Sequence, residues 1–315
     1  MTASLPVDGW DQDVVAPPAL SQPAEADLRR LLLIRHFEWR LQTLFEEGRL
    51  AGTTHTCLGQ EYVPVAVSAL LRADDFIFSN HRGHGHYLAR FADPAGLLAE
   101  LMGRAGAVCG GVGGSQHIRR GRFVSTGVQG QSLPVAVGAA LHLQRSGAAG
   151  LACVYIGDGT WGEGAVYEAL NLAALWRLPL LVVVEHNGIA QTTPTRLQMA
   201  GTIAGRARAF GLAHVRVDDI DVNRIRSVVG PFVEQVRNAG RPTVVEFRTH
   251  RLGPHSTGRD TRPPQMRRAA ERYDWYELYR AAFPQQFRTL DDEQRSTVLA
   301  VAAEVAARPP AGWVA

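Results

Sequence analysis

The chain alternates between segments with an apolar stripe and short runs that are apolar throughout. Residues 27–50 carry apolar side chains at every third or fourth position, which predicts a long amphipathic helix with Asp27 as its N-cap and Gly48 as its stop. The stretch EYVPVAVSALL (61–71) predicts a second helix. From Pro263 onward, PPQMRRAAERYDWYELYRAAF and DDEQRSTVLAVAAEVAAR predict helical structure in two pieces.

Short apolar, β-branched runs predict the strands of a sheet. They are separated by helix-length segments, an alternation typical of an α/β fold with a mostly parallel sheet and helices on both faces. Two stretches rich in Gly and His, HRGHGHY (81–87) and GGVGGSQH (110–117), predict long loops. The predicted strands are residues 151–156, 179–185, 213–217 and 243–249.

Composition narrows the class of protein. Among the 315 residues 46% are hydrophobic and 20% charged, and no apolar run reaches the ~18–20 residues that cross a bilayer. The net charge of +3 and the scattered Arg residues argue against nucleic-acid binding. Cys57, Cys109 and Cys153 lack CxxC spacing, which argues against a disulfide framework or a zinc site. The first residues, MTASLPVDGWDQD, are acidic where a secretory signal is basic and apolar, so we predict a cytoplasmic protein.

Two polar residues follow neighbouring predicted strands and suggest an ion site. Asp158 lies between two glycines after the first strand, and Asn187 follows the second strand twenty-nine residues later. Ligands of open parallel sheets bind beyond the carboxyl ends of strands, so both side chains can reach one crevice if their strands are adjacent. A carboxylate and an amide oxygen suit Mg²⁺ or Ca²⁺. Gly157 and Gly159 allow a phosphate to approach, and a helix start near Glu163 offers amide donors. Alone, a GDG sequence is equally typical of a plain strand-to-helix turn.

The whole segment GDGTWGEGAVYEALNLAALWRLPLLVVVEHNG (157–188) resembles the thiamine diphosphate signature. Over roughly residues 27–265 the chain resembles the α subunit of the E1 component of 2-oxo acid dehydrogenase complexes. The resemblance implies a thiamine diphosphate-binding α/β fold with flanking N- and C-terminal helices. We expect a flexible arm at 1–26, a diphosphate-binding domain at 27–265 and a helical extension at 266–315. Further ordered matches are GTTHTCLGQE (52–61), HRGHGHYLAR (81–90), GGVGGSQH (110–117), LPVAVGAALHL (133–143) and RLGPHSTGRD (251–260).

By this resemblance the cofactors are thiamine diphosphate and Mg²⁺. Asp158, Asn187 and the backbone carbonyl of Ile189 are expected to bind the metal ion. The family commonly has Tyr at the position of Ile189, a change that a carbonyl ligand tolerates. Gly159 and Thr160 are expected to offer backbone amides to the diphosphate.

The resemblance also assigns a phosphate-binding role to Arg82, where a charge-assisted hydrogen bond is stronger than a neutral one. His81, which replaces a common Tyr, is a candidate diphosphate contact. His255 matches a mobile-loop residue that contacts the cofactor and the reacting acyl group, and His55 matches a substrate-side residue. Imidazole suits both catalytic roles because it can donate or accept a proton near neutral pH.

Gly127 and Gln129 occupy positions that contact the aminopyrimidine and support the bent cofactor. Gln129 departs from the apolar residue usual there. Either Val128 or Leu133 supplies the apolar wedge, or the pocket suits a more polar substrate. His84, His86 and His117 are expected to be ordinary hydrogen-bonded residues, and Ser256, at the position of a phosphorylated Ser in some relatives, is expected to be a loop residue.

The implied activity is decarboxylation of a 2-oxo acid and transfer of the acyl group to a lipoyl domain or another acceptor. The family takes the Glu that ionises the cofactor from a second polypeptide, so we expect a β partner, an α₂β₂ assembly and an associated lipoyl-bearing acyltransferase. Helices around 58–71 and 133–143 either meet that partner or fill this chain's own core.

Two other functions are compatible with parts of the pattern. One is a split transketolase-like or acyloin-forming subunit that moves a two-carbon unit, and the other is a degenerate subunit that binds a partner without catalysis. The residues at Asp158, Asn187, Arg82 and His255 argue against degeneracy. A Rossmann dinucleotide site is disfavoured because no GxGxxG follows the first strand. Neither the 2-oxo acid nor the acceptor can be read from the residues.

Overall fold

A mostly parallel sheet of seven strands forms the centre of the molecule. The computed structural model describes residues 19–50, 52–256, 258 and 260–312. The strands are β1 (Phe76–Ser79), β2 (Arg119–Arg120), β3 (Phe123–Ser125), β4 (Ala152–Gly157), β5 (Leu180–His186), β6 (Ile189–Ala190), β7 (Thr193–Pro194), β8 (Ala213–Val217) and β9 (Thr243–Arg248). The sheet order is β2-β3-β1-β4-β5-β9-β8, parallel except for the antiparallel β2–β3 pair, while β6 and β7 form a separate small hairpin.

Helices cover both faces of this sheet, as the sequence predicts. They are α1 (Glu25–Glu46), α2 (Tyr62–Ser68), α3 (His84–Phe91), α4 (Pro94–Met102), α5 (Ser132–Ser146), α6 (Gly164–Leu175), α7 (Ile203–Ala209), α8 (Val222–Ala239), α9 (Pro264–Glu271), α10 (Trp275–Ala282) and α11 (Pro284–Ala307). None of them, within the described residues, is long and apolar enough to cross a membrane.

Successive side chains of the central strands enter two different hydrophobic cores. In β4, Cys153 and Tyr155 pack into the core that also holds α1, α2, α8 and the C-terminal helices. Val154 and Ile156 pack on the other face, with α5, α6 and α7. Both cores require continuous apolar strands, because each face of the sheet is buried. The predicted α/β fold is therefore confirmed.

Two boundaries differ from the sequence predictions and two agree with them. Helix α1 begins at Glu25 with Ala24 as its N-cap, so the predicted N-cap role of Asp27 is wrong; Asp27 instead pairs with Arg226 at 2.5 Å. Its end near Gly48 is confirmed, since Gly48 has φ +68° and lies two residues beyond Glu46. The predicted loop HRGHGHY is wrong in its second half, where α3 begins at His84. The loop over 110–117 is confirmed.

The C-terminal region forms three helices where the sequence predicts two pieces. Asp274 caps α10 by accepting a hydrogen bond from the amide of Tyr276, and Pro284 begins α11. Helix α11 packs along α1 and α4, and its buried side chains join the same core as α1. The domain boundary at 265 stays a prediction. Of the predicted flexible arm at 1–26, residues 1–18 lie outside the described residues, and Ser21 hydrogen-bonds to Asp221.

Candidate functional site

The two predicted metal ligands lie at the ends of adjacent strands. Strands β4 and β5 pair in parallel register, with Gly157 opposite Glu185. Asp158 follows β4 at the start of a 3₁₀ turn, and Asn187 comes directly after β5. Both residues are therefore at the carboxyl edge of the sheet, where ligands of open α/β sheets bind.

Hydrogen bonds orient both of these side chains. Asp158 is 2% exposed, and one of its oxygens accepts a hydrogen bond from the hydroxyl of Thr195. The Asn187 amide nitrogen donates to Gln60 Oε1 at 3.2 Å, while its oxygen accepts the Ile189 backbone N–H at 3.3 Å. Within the described residues, no cluster of three or more His, Cys, Asp or Glu side chains is placed to hold a metal ion. A metal ion here would therefore take ligands that include amide and backbone oxygens.

Glycines leave open space along the turn that follows β4. A Cβ atom added at Gly157, Gly162 or Gly164 would meet no other atom within 4 Å. Gly159 is different, because its added Cβ would lie 2.6 Å from the Cβ of Ala190 in the β6–β7 hairpin. Helix α6 begins at Gly164 after Glu163, as predicted, so the first amides of that helix lie beside the open turn.

Two buried arginines lie at the same edge of the sheet without a carboxylate partner. Arg82 donates to the carbonyls of Thr56 at 2.7 Å and His255 at 2.9 Å. Arg251 approaches His255 Nδ1 at 3.4 Å. In the described part of the chain, neither guanidinium has a carboxylate within ion-pair distance. Burial lowers the pKa of Arg82 to about 10, and burial together with the charges of Arg82 and Arg262 lowers the pKa of Arg251 to about 9.

Three imidazole rings gather beside these arginines. His55 lies 4.8 Å from His81 and 4.9 Å from His255, measured between ring centroids, and His81 lies 5.7 Å from His255. Burial, followed by the charge of Arg82, lowers the pKa of His55 to about 3 and that of His255 to about 4. The same causes place the pKa of His81 well below its usual value. All three rings are therefore neutral at pH 7.

Gln129 connects two of the other predicted cofactor residues to this cluster. Its amide nitrogen contacts His81 Nδ1 at 2.9 Å and the Gly127 carbonyl at 3.2 Å. Its carbonyl oxygen accepts the Thr160 hydroxyl at 2.8 Å. Of the two alternative wedge residues, Leu133 is buried in a hydrophobic core and Val128 is 56% exposed.

Two segments distant in sequence form a backbone seam beneath the imidazoles, made of residues 56–59 and 250–253. The Leu252 amide donates to the Leu58 carbonyl at 2.9 Å. Gly59 has φ +90°, and an added Cβ there would lie only 2.0 Å from the His250 carbonyl oxygen. Any other residue at position 59 would combine an unfavourable backbone conformation with a severe clash. The seam therefore fixes the loop of His55 against the loop of His255.

Several buried polar atoms around the site lack hydrogen-bond partners. Native proteins pair most buried polar groups, so unpaired ones near a cleft indicate a missing polar ligand. The seam and its neighbours contribute Thr56 Oγ1, Gln60 Nε2, Thr249 Oγ1 and Arg251 Nε. Most of these atoms are hydrogen-bond donors, and the guanidiniums of Arg82 and Arg251 lie nearby without a carboxylate partner among the described residues. The arrangement therefore fits an anionic ligand with several oxygen atoms.

A carboxylate bridges two histidines behind Asp158. Glu246 accepts hydrogen bonds from His186 Nδ1 and His214 Nε2, both at 2.7 Å, and His186 Nε2 lies 3.8 Å from Asp158. Burial opposes ionisation of Glu246, but the two hydrogen bonds prevail and lower its pKa to about 2. These residues border a cleft of about 690 Å³ that adjoins the site through Asn187 and Arg251 but excludes the three imidazoles.

Sequence reasoning missed some residues of the site. Arg251 begins the stretch RLGPHSTGRD, four residues before His255, but the sequence does not show that no acid neutralises it. Gln116, in the glycine-rich loop, contacts His55 Nδ1 at 3.3 Å. Nothing in the sequence pairs Glu246 with His186 and His214. As expected, His84 and His86 have ordinary hydrogen-bond partners, including Glu38 for His84 and Ser79 for His86.

Comparisons with known proteins identify the family of this chain. A sequence model of the family described as "Dehydrogenase E1 component" matches residues 29–288. The alpha subunit of acetoin:2,6-dichlorophenolindophenol oxidoreductase from Bacillus subtilis is 37% identical over 234 residues, covering 73% of this chain and 70% of the relative. The corresponding Cupriavidus necator subunit is 34% identical over 251 residues, covering 78% and 75%.

A third relative carries a different name. The pyruvate dehydrogenase E1 component subunit alpha of Zymomonas mobilis is 37% identical over 233 residues, covering 72% of this chain and 66% of the relative. These relatives favour the E1 interpretation over a transketolase-like or acyloin-forming subunit. E1 α subunits of this family use thiamine diphosphate and work with a β subunit. The chain belongs to the dehydrogenase E1 component family, as an α subunit of the thiamine diphosphate-dependent 2-oxo acid dehydrogenases.

Proposed function

We propose that this chain, paired with a β subunit, decarboxylates a 2-oxo acid and passes the acyl group to a lipoyl group or another acceptor. The observation that carries the proposal is the placement of Asp158 and Asn187 at adjacent strand ends, next to two buried arginines without carboxylate partners. That combination suits a diphosphate held through a divalent cation.

The residues present fit thiamine diphosphate with Mg²⁺. Asp158, Asn187 and the Ile189 carbonyl would hold the metal ion, since hard oxygen ligands suit Mg²⁺. The amides of Gly159 and Thr160 belong to the turn after β4, in which Gly157, Gly162 and Gly164 leave open space, and would donate to phosphate oxygens.

The positive charges near the site have a role in the same proposal. Arg82 and Arg251 would neutralise the phosphate oxygens, which explains why both are buried without an acid of their own. Bound thiamine diphosphate supplies the carbon nucleophile and the electron sink, and the protein supplies orientation and proton donors.

His255 and His55 are suited to hold protons near the reacting carbonyl. The Nδ1 atom of His255 faces the N–H groups of Arg82 and Arg251, so it must accept and the ring proton must lie on Nε2. His55 is neutral for the same electrostatic reasons. A neutral Nε2–H group can donate a hydrogen bond to a carbonyl or carboxylate oxygen and can take part in proton transfer there.

The proposed assembly is α₂β₂, with a lipoyl-bearing acyltransferase as a further partner. Helix α5 supports a partner surface, because Leu133 and Ala136 are buried in the chain's own core while Val135 on the same helix is 58% exposed. Helix α2, in contrast, is buried within this chain, which accounts for its apolar residues without a partner. A cytoplasmic location stays a prediction.

The test is calorimetric titration of the co-purified αβ complex with thiamine diphosphate, with and without Mg²⁺. We expect Mg²⁺-dependent binding that Asp158→Ala abolishes while the unfolding transition is retained. Asp292→Ala, which removes a carboxylate exposed on α11 far from the strand ends, is the matched control and is expected to bind normally. Wild-type complex that binds no cofactor, or undiminished binding by Asp158→Ala, would refute the proposed metal site.

Activity is measured as acceptor reduction with a panel of 2-oxo acids. We expect His255→Ala to retain cofactor binding in the calorimeter but to lower turnover. An unchanged turnover would remove His255 from the mechanism.

A further inference from the structure

We propose that Gln129 is a positioning residue that fixes His81 in its Nε2–H form, so that His81 serves as a third neutral imidazole donor to an oxyanion in the site. This inference deepens the proposed function and rests on it for the identity of the oxyanion. The tautomer itself does not depend on any bound cofactor.

The orientation of the Gln129 amide follows from its neighbours. The atom that lies 3.2 Å from the Gly127 carbonyl oxygen must be a donor, because a backbone carbonyl only accepts. The same atom lies 2.9 Å from His81 Nδ1, so Nδ1 accepts a hydrogen bond. The other amide atom is then the oxygen, and the Thr160 hydroxyl donates to it at 2.8 Å. All three contacts agree on one orientation.

The ring proton of His81 is then placed by elimination. A neutral imidazole carries one N–H, and Nδ1 is occupied as an acceptor, so Nε2 carries the proton. Among the described residues His81 Nε2 has no hydrogen-bond partner, yet it is not one of the fully buried side-chain atoms that lack one. This atom is therefore not sealed from solvent, and a ligand can reach it.

The same arrangement recurs at the two neighbouring rings. Gln116 places its amide nitrogen near the Thr53 carbonyl and near His55 Nδ1, and two guanidiniums converge on His255 Nδ1. Each ring therefore has a donor at Nδ1, which places its proton on Nε2. Three such donors in one cluster suit a ligand with several oxygen acceptors.

The surroundings of His81 favour an anionic acceptor. Its ring faces the imidazoles of His55 and His255 and the charges of Arg82 and Arg251, and all four lower its tendency to take a proton. A phosphate oxygen of thiamine diphosphate and the carboxylate of a 2-oxo acid share the required chemistry. Kinetic and binding measurements can separate these two sources.

The direct test is ¹⁵N NMR of the αβ complex labelled in histidine, with His81 assigned from the signals lost in His81→Asn. In the wild type we expect an unprotonated Nδ1 and a protonated Nε2 across pH 6 to 8, without cofactor. Gln129→Glu places an acceptor at Nδ1 and should protonate that atom. Gln129→Leu removes the donor and should give a mixture of tautomers. A wild-type ring with the proton on Nδ1, or a pattern that neither substitution alters, would overturn the proposal.

Binding then identifies the oxyanion. For Gln129→Leu we expect the affinity for the ligand that carries the oxyanion to fall about fivefold to tenfold. This is the size of one hydrogen bond of roughly 1 kcal/mol. A higher dissociation constant for thiamine diphosphate with unchanged KM for the 2-oxo acid assigns the phosphate, and the reverse assigns the carboxylate. No change in either quantity contradicts the donor role of His81.

A matched control separates this effect from general damage. Gln144→Leu removes an amide that donates to the Trp176 carbonyl on the surface, far from the imidazoles, and should leave all of these measurements unchanged. If no variant and no wild-type complex binds thiamine diphosphate, the proposed function fails, whereas the NMR result still decides the role of Gln129.

Discussion

Buried arginines occur in two very different settings in this molecule. Arg35, in α1, donates to Glu61 at 2.6 Å and to Asp274 at 2.9 Å, and its guanidinium lies 4.6 Å from the ring centroid of Trp275. Arg82 and Arg251 are also buried, but their partners are carbonyls and a neutral imidazole. Burial works against all three charges, yet the two carboxylates raise the pKa of Arg35, while the pKa values of the other two fall.

This difference indicates that Arg35 has a structural role, whereas Arg82 and Arg251 have a role in ligand binding. The charge of Arg35 is neutralised by carboxylates of this chain, and these ion pairs connect α1 with the segment before α2 and with α10. The charge of Arg82 would be neutralised only by a bound anion. Buried cations without a counterion are costly, so they persist where binding requires them.

The largest effect is expected at Arg35. Arg35→Met leaves the carboxylate of Glu61 buried without its cation, which costs about 3–5 kcal/mol. Chemical unfolding of the αβ complex should show this loss in free energy of unfolding. Arg29→Met, which removes an exposed cation of the same helix, should cost no more than about 1 kcal/mol. Equal losses in the two variants would show that the Arg35 group is not a special source of stability.

Arg82→Met should show the opposite balance. No carboxylate loses its partner, so we expect the free energy of unfolding to change by only about 1 kcal/mol. Binding of thiamine diphosphate should weaken by roughly 10-fold to 100-fold, because a charge-assisted hydrogen bond to phosphate is lost. Calorimetric titration measures this. A stability loss as large as that of Arg35→Met, with intact binding, would remove the distinction between the two settings.

A further expected effect concerns pH. The folded-state pKa of His255 is about 4, below the value of about 6.5 expected when unfolded, so the unfolded state binds more protons in acid. Stability should therefore fall as pH decreases from about 6.5 toward 4. His255→Gln cannot take up that proton, so its stability should fall less steeply over this window. The free energy of unfolding is measured with urea at a series of pH values for both proteins. If it depends on pH in the same way for the wild type and for His255→Gln, the lowered pKa of His255 is contradicted.

Sequence patterns predicted the centre of the fold better than its margins. Three of the four predicted strands, β4, β5 and β9, are buried on both faces, and such strands are continuous apolar runs that are easily recognised. The fourth, β8, is the edge strand and is only partly buried. Strands β1 and β3 were missed because they span only four and three residues beside polar loops. Helix α3 was missed because His and Gly favour loops locally, whereas burial of Tyr87 and Leu88 stabilises a helix.

The candidate site shows a similar division. The sequence predicted that Asp158 and Asn187 each follow a strand, and the ends of parallel strands lie at one edge of a sheet. That the two strands are adjacent is seen only in the structure. The distant partners of Gln129 could not be read from its position, since Thr160 comes from the turn after β4 and His81 from the loop after β1. Arg251 becomes recognisable as a site residue only when the folded chain shows that no acid neutralises it.

The seam at Gly59 has a mechanical consequence. With two backbones in contact and no side chain between them, the segments that carry His55 and His255 cannot slide independently. We therefore expect a displacement of one segment to shift the other, so that His55 and His255 move together when substrate binds.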